Sequence, residues 1–227
     1  TKIAFIHIPF HDQSSYIFLS PVLMCILTVL WVVGFTNTIN LIDGLDGLAA
    51  GVSGIASITI ILVAVHQGYY PVATMTAALA GGIFGFIHYN FNPATIFMGD
   101  TGSMFIGYML ASIAIFGAVK SAATIALIVP AVALGLPIMD TAFAILRRYS
   151  NGKPIFQPDK GHLHHRLLAL GLSQKQAVLL MYAISIILSL GAFVLAMANI
   201  YIACAVIVLI VIAVAVGAKK IGILRNP

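Results

Sequence analysis

Charged residues are scarce in this sequence, since Asp, Glu, Lys and Arg make up only 7% of its 227 residues. A soluble globular domain carries about 25% charged residues, so the scarcity excludes an ordinary water-soluble protein. Cysteine is scarce too. Cys25 and Cys204 lie inside apolar runs without a CxxC motif, which is typical of small core residues. No cleavable signal peptide is visible and the chain begins at Thr1, from which we expect an upstream portion to be missing.

Long apolar runs are abundant, because 61% of the residues are hydrophobic. One bilayer span needs about 20 apolar residues. The runs therefore predict an all-α, multi-pass membrane bundle, a single domain over residues 1–227, with about seven spans. Two GxxxG pairs, Gly47 with Gly51 and Gly81 with Gly85, would let helices approach closely. The predicted spans are Phe18–Thr36, Leu48–Val65, Val72–Ile87, Ser103–Ala118, Ala122–Leu146, Gln176–Met197 and Tyr201–Gly217.

The charges predict how these spans are oriented. Seven alternating spans place nine of the eleven basic residues on one side, which the positive-inside rule makes cytoplasmic. Five of the six acidic residues fall on the same side: Asp43, Asp46, Asp100, Asp140 and Asp159. The net charge of +5 is thus explained by topology, and nucleic acid is not expected as a partner.

A first polar segment, NTINLIDGLDG, runs from Asn37 to Gly47 after the first span. If the helix continues to Asp43, then Asn37, Asn40 and Asp43 share a face that points into the protein. Asp46 has an alternative interpretation as the N-cap of the next helix. Two carboxylates and two carboxamides at a membrane edge are costly unless they bind something, which favours a functional site.

A second polar segment, HYNFNPATIFMGDTGS, covers residues 88–103. Asp100 and Asn40 offer the oxygen ligands that Mg²⁺ uses together with substrate phosphates, although Asp100 also fits a helix cap. Asn90 and Phe97 offer an amide and a stacking face to a nucleotide base. The alternative for Phe97 is an ordinary apolar side chain at the membrane.

A third polar segment extends from Arg147 to Arg166 and includes the cluster His162, His164 and His165. A zinc site is one interpretation, but no Cys or Glu is near and adjacent His164 and His165 are expected to point apart. Attraction of a basic patch to anionic lipid is another interpretation. Arg, Lys and His together suit a diphosphate, because they form charge-assisted hydrogen bonds to it.

Three stretches of the sequence, in this order and spacing, resemble motifs of the polyprenyl-phosphate N-acetylhexosamine-1-phosphate transferases. They are NTINLIDGLDGLAAG, NFNPATIFMGDTGSMFIG, and PIMD followed by RR and KPIFQPDKGHLHHRL. The HLHH form is more similar to the GlcNAc-1-phosphate branch, which initiates teichoic acid linkage units or O-antigen, than to the muramoyl-pentapeptide branch. The latter is the alternative for the substrate.

The resemblance implies transfer of GlcNAc 1-phosphate from UDP-GlcNAc to undecaprenyl phosphate, with release of UMP and a need for Mg²⁺ or Mn²⁺. The implied location is the bacterial cytoplasmic membrane, with the active site on the cytoplasmic face and a homodimer as a further expectation. Asp100 and Asn40 would hold the metal, and Asp43 would lie beside the lipid phosphate as a base or orienting group. The other implied site residues are Asp46, Asn90 and Phe97 at the uridine, Arg148, His162, His164 and His165 at the diphosphate or sugar, and Asn37 and Lys160 as further substrate-binding residues.

One feature of the family is missing. These enzymes carry an Asp-Asp pair in an upstream cytoplasmic loop, and no adjacent acidic pair occurs in this sequence. The 227 residues alone are therefore expected to be incomplete and inactive. Two other classes stay open: a transporter, in which intramembrane Asp, Asn and His relay protons, and an inactive scaffold of a cell-envelope assembly.

Overall fold

The computed structural model describes residues 3, 5–7, 16–118, 123–150, 152 and 162–221. Nine helices lie in this part of the chain, and the predicted helical membrane bundle is confirmed. Two three-residue strands precede the helices and pair antiparallel, Phe5 opposite Phe18. The elements are β1 Phe5–His7, β2 Tyr16–Phe18, α1 Pro21–Ile42, α2 Leu48–His66, α3 Tyr70–Asn90, α4 Gly99–Ala118, α5 Ala123–Ala133, α6 Gly135–Ser150, α7 Leu163–Ala169, α8 Gln174–Met197 and α9 Ile200–Ile221.

Five helices in the described part are long and apolar enough to cross a membrane: α1, α2, α3, α4 and α8. The pair α5 and α6 adds a sixth span if it is counted as one, and α9 contributes a shorter apolar stretch, Tyr201–Val214. The first four predicted spans match α1 to α4, but α1 continues past the predicted end at Thr36 to Ile42. This extension carries Asn40 to the end of the bundle.

The predicted fifth span Ala122–Leu146 comprises two helices, α5 and α6, between which the chain bends by 76°. Pro137 explains the break. It has no N–H to donate to the carbonyl of Ala133, and its ring would clash there in a continuous helix. The bend sends α6, with Asp140 and the two arginines of its last turn, away from the direction of α5.

Helix α2 is the centre of the bundle. In its most apolar 18-residue stretch 72% of the residues are buried, whereas the corresponding value for α1 is 17%. The buried surface of α2 is rich in Ala, Gly and Ser, which lets α3 and α8 pack closely against it. The core that surrounds α2 supports the loop that follows α1.

Helices α1 and α4 cross at Gly107. A Cβ at residue 107 would lie 2.8 Å from the Cα of Thr36 and 2.9 Å from the carbonyl oxygen of Phe35, so only glycine fits this crossing. The close approach brings the last turn of α1 to the first turn of α4. Asn40 and Asp100 thereby become neighbours although 60 residues separate them.

Candidate active site

Asn40 and Asp100 form the first part of the site. The amide Nδ2 of Asn40 donates to Oδ1 of Asp100 at 3.0 Å and lies 3.0 Å from Oγ of Ser103. Asp100 is exposed in the first turn of α4, and Asn40 is half-buried. The predicted metal-binding pair is thus brought together, with the amide oxygen of Asn40 not engaged by either of these contacts.

Asp43 ends α1 as its C-cap and is half-buried next to this pair. Burial, and then the negative charge of Asp100, raise the pKa of Asp43 from 3.8 to about 6. Two neighbouring carboxylates that repel one another fit a divalent cation, which offsets their charge. Their hard oxygen atoms, with one face open to water and substrate, suit Mg²⁺ better than zinc.

Among the described residues, no group of three or more His, Cys, Asp or Glu side chains could hold a metal ion. The prediction that the side chains of His164 and His165 point apart is wrong, because their ring centroids are 4.2 Å apart. His164, the second residue of α7, is buried, while His165 beside it is exposed.

Asp46 does not cap α2. The N-cap is Gly47, whose φ of 79° is the left-handed conformation that glycine adopts without strain. The Oδ2 atom of Asp46 instead accepts from Nδ2 of Asn92 and from the backbone N–H of Ala94, both at 3.1 Å. Asp46 therefore holds the loop between α3 and α4 against the loop between α1 and α2.

Asn90 joins the same two loops from the end of α3. Its Oδ1 accepts from the N–H of Gly47 at 3.1 Å, and its Nδ2 donates to the carbonyl oxygen of Ile96 at 2.9 Å. Asn90 is only 3% exposed, so it positions the loop more than it offers a free amide. Phe97, by contrast, is 74% exposed, which makes its ring available to a ligand.

The histidine cluster reaches the first loop through His164. Its ring occupies the space left by Gly44, where a Cβ would lie 2.6 Å from Nε2 of His164. The ring of His162 stacks on that of His164 with 5.8 Å between centroids and 5° between planes. All three polar segments of the sequence therefore meet around residues 43–47.

His164 is neutral at neutral pH. Burial is the main cause that lowers its pKa from 6.5 to about 4, and the neighbouring His165 adds to the effect. Within the described part of the chain, its Nδ1 atom is buried without a hydrogen-bond partner. His164 thus offers a neutral ring at this loop, and not the cation that the sequence suggested for gripping a diphosphate.

The lowered pKa of His164 makes an acid-sensitive contribution to stability. Because the unfolded chain binds the proton more tightly, this contribution is complete above pH 6.5 and is lost as the pH falls toward 4. The raised pKa of Asp43 acts in the opposite direction over the same range, so the comparison of variant with wild type isolates His164. We expect the apparent Tm of detergent-solubilised His164→Gln to rise relative to that of wild type as the pH falls from 7 to 4. Thermal unfolding followed by circular dichroism measures both.

His165→Gln is the matched control for this prediction. It removes only the secondary cause of the shift, so most of the acid sensitivity should persist. Equal slopes for wild type and His164→Gln would show that the buried ring does not set this pH dependence.

The remaining predicted residues are placed less centrally. Asn37 is exposed and donates to the carbonyl oxygen of Val33 in its own helix, so the prediction that it faces inward is wrong. The inward face of α1 is formed by Phe35, Thr38, Ile39 and Ile42. Arg148 is half-buried in the last turn of α6. Lys160 lies outside the described residues.

Sequence reasoning missed Tyr182. This residue of α8 donates a short hydrogen bond to the carbonyl oxygen of Gly47, and its ring fills the space beside Gly51. Phe91 lies next to it, with 6.5 Å between ring centroids, and Lys175 lies 5.9 Å above the centroid of Phe91. Nothing local in the apolar run around Tyr182 predicts this contact, which arises from the packing of α8 on α2.

Comparison with known proteins shows which family and which relatives the chain resembles. Residues 1–118 match the family described as "Glycosyl transferase family 4". The chain is 46% identical over 177 residues to a probable undecaprenyl-phosphate N-acetylglucosaminyl 1-phosphate transferase of Bacillus subtilis, covering 78% of this chain and 49% of the relative. It is 43% identical over 136 residues to a decaprenyl-phosphate N-acetylglucosaminephosphotransferase of Mycobacterium tuberculosis, covering 55% and 33%.

A phospho-N-acetylmuramoyl-pentapeptide-transferase of Enterococcus hirae is also similar, with 37% identity over 169 residues, 73% of this chain and 50% of the relative. The chain thus spans about half the length of the curated relatives it matches, or less. Residues 1–118, which match the family, contain the first two of the three polar segments that meet around residues 43–47.

Proposed function

Because the chain belongs to glycosyl transferase family 4, we propose that it transfers GlcNAc 1-phosphate from UDP-GlcNAc to undecaprenyl phosphate and releases UMP. The observation that carries the proposal is the convergence of Asn40, Asp43 and Asp100 with His164 at one end of a membrane bundle. The similarity to relatives named for this transfer supports the sugar and the lipid.

Each group has a part in this reaction. Asp100 and Asn40 would hold Mg²⁺ or Mn²⁺, which would neutralise charge on the diphosphate. Asp43, as a carboxylate beside them, would accept the proton of the lipid phosphate or orient it for attack. Phe97 presents an exposed ring for the uracil. Asp46 holds the loop that carries Phe97 by accepting a hydrogen bond from the N–H of Ala94. Arg148 and the histidines would bind the diphosphate or sugar.

A polyprenyl chain needs an apolar surface next to these polar groups. A cavity of about 340 Å³ lies between α6, α8 and α9, and its wall includes Asp140 and the first residue of α7. Leu163 in this wall immediately precedes His164 in α7, so the cavity lies beside the helix that carries the histidines. Its apolar lining includes Leu136, Phe143, Leu163, Leu188 and Ile210.

The proposed orientation places this end of the bundle at the cytoplasmic face of the bacterial inner membrane. The basic residues near it, which include Arg147 and Arg148, support that orientation by the positive-inside rule. A transporter is less well supported, because the polar groups gather at helix ends and not near the bilayer midplane.

The proposal is tested by UMP release from the purified full-length protein. UMP should appear with UDP-GlcNAc only when undecaprenyl phosphate and Mg²⁺ are both present, and chelation should stop it. Release with UDP-MurNAc-pentapeptide alone would move the protein to the substrate of the Enterococcus hirae relative. Absence of release with both nucleotide sugars would contradict the transferase proposal and favour a scaffold.

A further inference from the structure

Asp140 is a buried carboxylate in α6 that the proposed reaction does not use. It is 6% exposed, and both of its oxygen atoms are engaged by the start of α7. Oδ1 accepts from the N–H of Leu163 at 2.8 Å, and Oδ2 lies 3.0 Å from Nδ1 of His162. A buried charge is costly unless it is hydrogen-bonded, so these two contacts explain how the carboxylate is tolerated.

The contact with Asp140 determines which nitrogen of His162 is available. An ionised carboxylate only accepts hydrogen bonds, so Nδ1 of His162 must carry the proton that points at Oδ2. In the neutral ring Nε2 then has the lone pair, and in the imidazolium it carries the second proton. In both states Nδ1 is occupied, and Nε2 is the ring nitrogen that can meet a reactant.

The orientation of His162 also bears on the loop that carries Asp43. His162 is nearly parallel to His164, which in turn rests on Gly44. A rotation of the His162 ring would remove the stacked surface on one side of His164. Asp140 is therefore linked to the loop at residues 43–47 by consecutive contacts, although it lies in a different helix.

We infer that Asp140 is a positioning residue, which holds His162 with Nδ1 protonated and presents Nε2 to the diphosphate of the nucleotide sugar. This inference rests on the proposed function. Asp140 itself does not touch substrate, because both of its oxygen atoms are engaged by His162 and by the backbone N–H of Leu163. Carboxylates that orient metal-binding histidines in other proteins have a comparable role, and their loss lowers metal affinity or activity about 10- to 100-fold.

Asp140→Asn separates orientation from folding. The Oδ1 of asparagine can still accept from Leu163, so the start of α7 keeps its cap. The amide NH₂ facing His162 is a donor, however, and it moves the ring proton from Nδ1 to Nε2. We expect kcat/KM for UDP-GlcNAc to fall about 10- to 100-fold, with an apparent Tm near that of wild type. As a control, Ser189→Ala changes a buried polar residue of a different helix, α8, and should keep wild-type activity.

A double-mutant cycle tests whether Asp140 acts through His162. In a His162→Gln background, Asp140→Asn should cause no further loss, because the ring that it orients is absent. A purely structural role predicts losses that multiply. Histidine ¹⁵N NMR, assigned with His162→Gln, should show the proton on Nδ1 in wild type and on Nε2 in Asp140→Asn.

The outcomes distinguish this inference from the function on which it rests. If wild type releases UMP but Asp140→Asn keeps its kcat/KM, or its loss multiplies with that of His162→Gln, the positioning role is overturned and the transferase proposal stands. A neutral His162 ring whose single proton is on Nε2 in the wild-type spectrum also overturns it. If wild type releases no UMP from either nucleotide sugar, the proposed function fails and the assignment of Nε2 to a diphosphate fails with it.

Discussion

Asp100→Asn is expected to lower UMP release by roughly 10³-fold or more, the largest effect of any single change in the site. Asparagine keeps an oxygen that can accept from Asn40, so the contact between α1 and α4 persists. The charge that would balance the metal ion is lost, and phosphoryl transfer depends mainly on positioning and charge neutralisation. Initial rates with saturating UDP-GlcNAc and undecaprenyl phosphate measure the effect.

Thr101→Ala is the matched control for Asp100→Asn, because it changes the adjacent exposed residue in the same helical turn. It should stay near wild-type activity. Single changes of His162, His164 or His165 to glutamine should each cost less than Asp100→Asn, since the histidines would share contacts with the diphosphate. An Asp100→Asn protein with wild-type activity would remove the metal assignment.

Gly51→Ala is expected to destabilise the bundle strongly. A Cβ at residue 51 would lie 2.0 Å from Cζ of Tyr182, so the ring would have to leave its place against α2. Tyr182 would then lose its hydrogen bond to Gly47. Overpacking of this kind costs about 1–3 kcal/mol, and the lost hydrogen bond adds about 1 kcal/mol. Thermal unfolding in detergent should show a clearly lower apparent Tm.

Gly81→Ala and Gly85→Ala provide the contrast. Both glycines also have GxxxG spacing, yet no atom lies within 4 Å of a Cβ at either position. Alanine is a better helix former than glycine by about 1 kcal/mol, so these variants should be as stable as wild type or more stable. Destabilisation by all three substitutions to a similar degree would contradict the specific role of Tyr182.

The glycine pairs illustrate what the sequence could not predict. Gly47 with Gly51 and Gly81 with Gly85 have identical spacing, but only the first pair receives a side chain from another helix. The difference depends on the position of α8 relative to α2, which is a long-range property of the packing. Tyr182 was missed for the same reason, since it lies in an apolar run without a motif.

Local chemistry, by contrast, was predictable. Apolar runs of sufficient length identified the helices that become α1 to α4, because the bilayer imposes both length and composition. The polar segments at their ends identified Asn40, Asp43 and Asp100, because such groups are costly at a membrane edge without a role. The spacing along α1 predicted the wrong face for Asn37. Which face of α1 is the outer one depends on the side of the helix that contacts α4.

Alternative interpretations at single residues were resolved only by tertiary contacts. The sequence allowed Asp46 to cap α2. In the structure its carboxylate instead accepts hydrogen bonds from Asn92 and Ala94. Asp140 lies inside the predicted fifth span and ends the PIMD motif, but no role in the site was predicted for it from the sequence. The bend before α6, which Pro137 explains, and the position of α7 bring it to His162. The position of α7 is not encoded in the local pattern of residues 135–150.

The central claim is that the sugar leaves UDP together with its phosphate, and a double-label transfer assay tests it most directly. Full-length protein would be given UDP-GlcNAc labelled with ³²P in the β-phosphate and ¹⁴C in the sugar, with undecaprenyl phosphate and Mg²⁺. We predict that both labels enter the lipid in equal amounts and that UMP is the nucleotide released. Entry of the sugar label alone, with release of UDP, would contradict the proposed chemistry, as would failure of either label to reach the lipid.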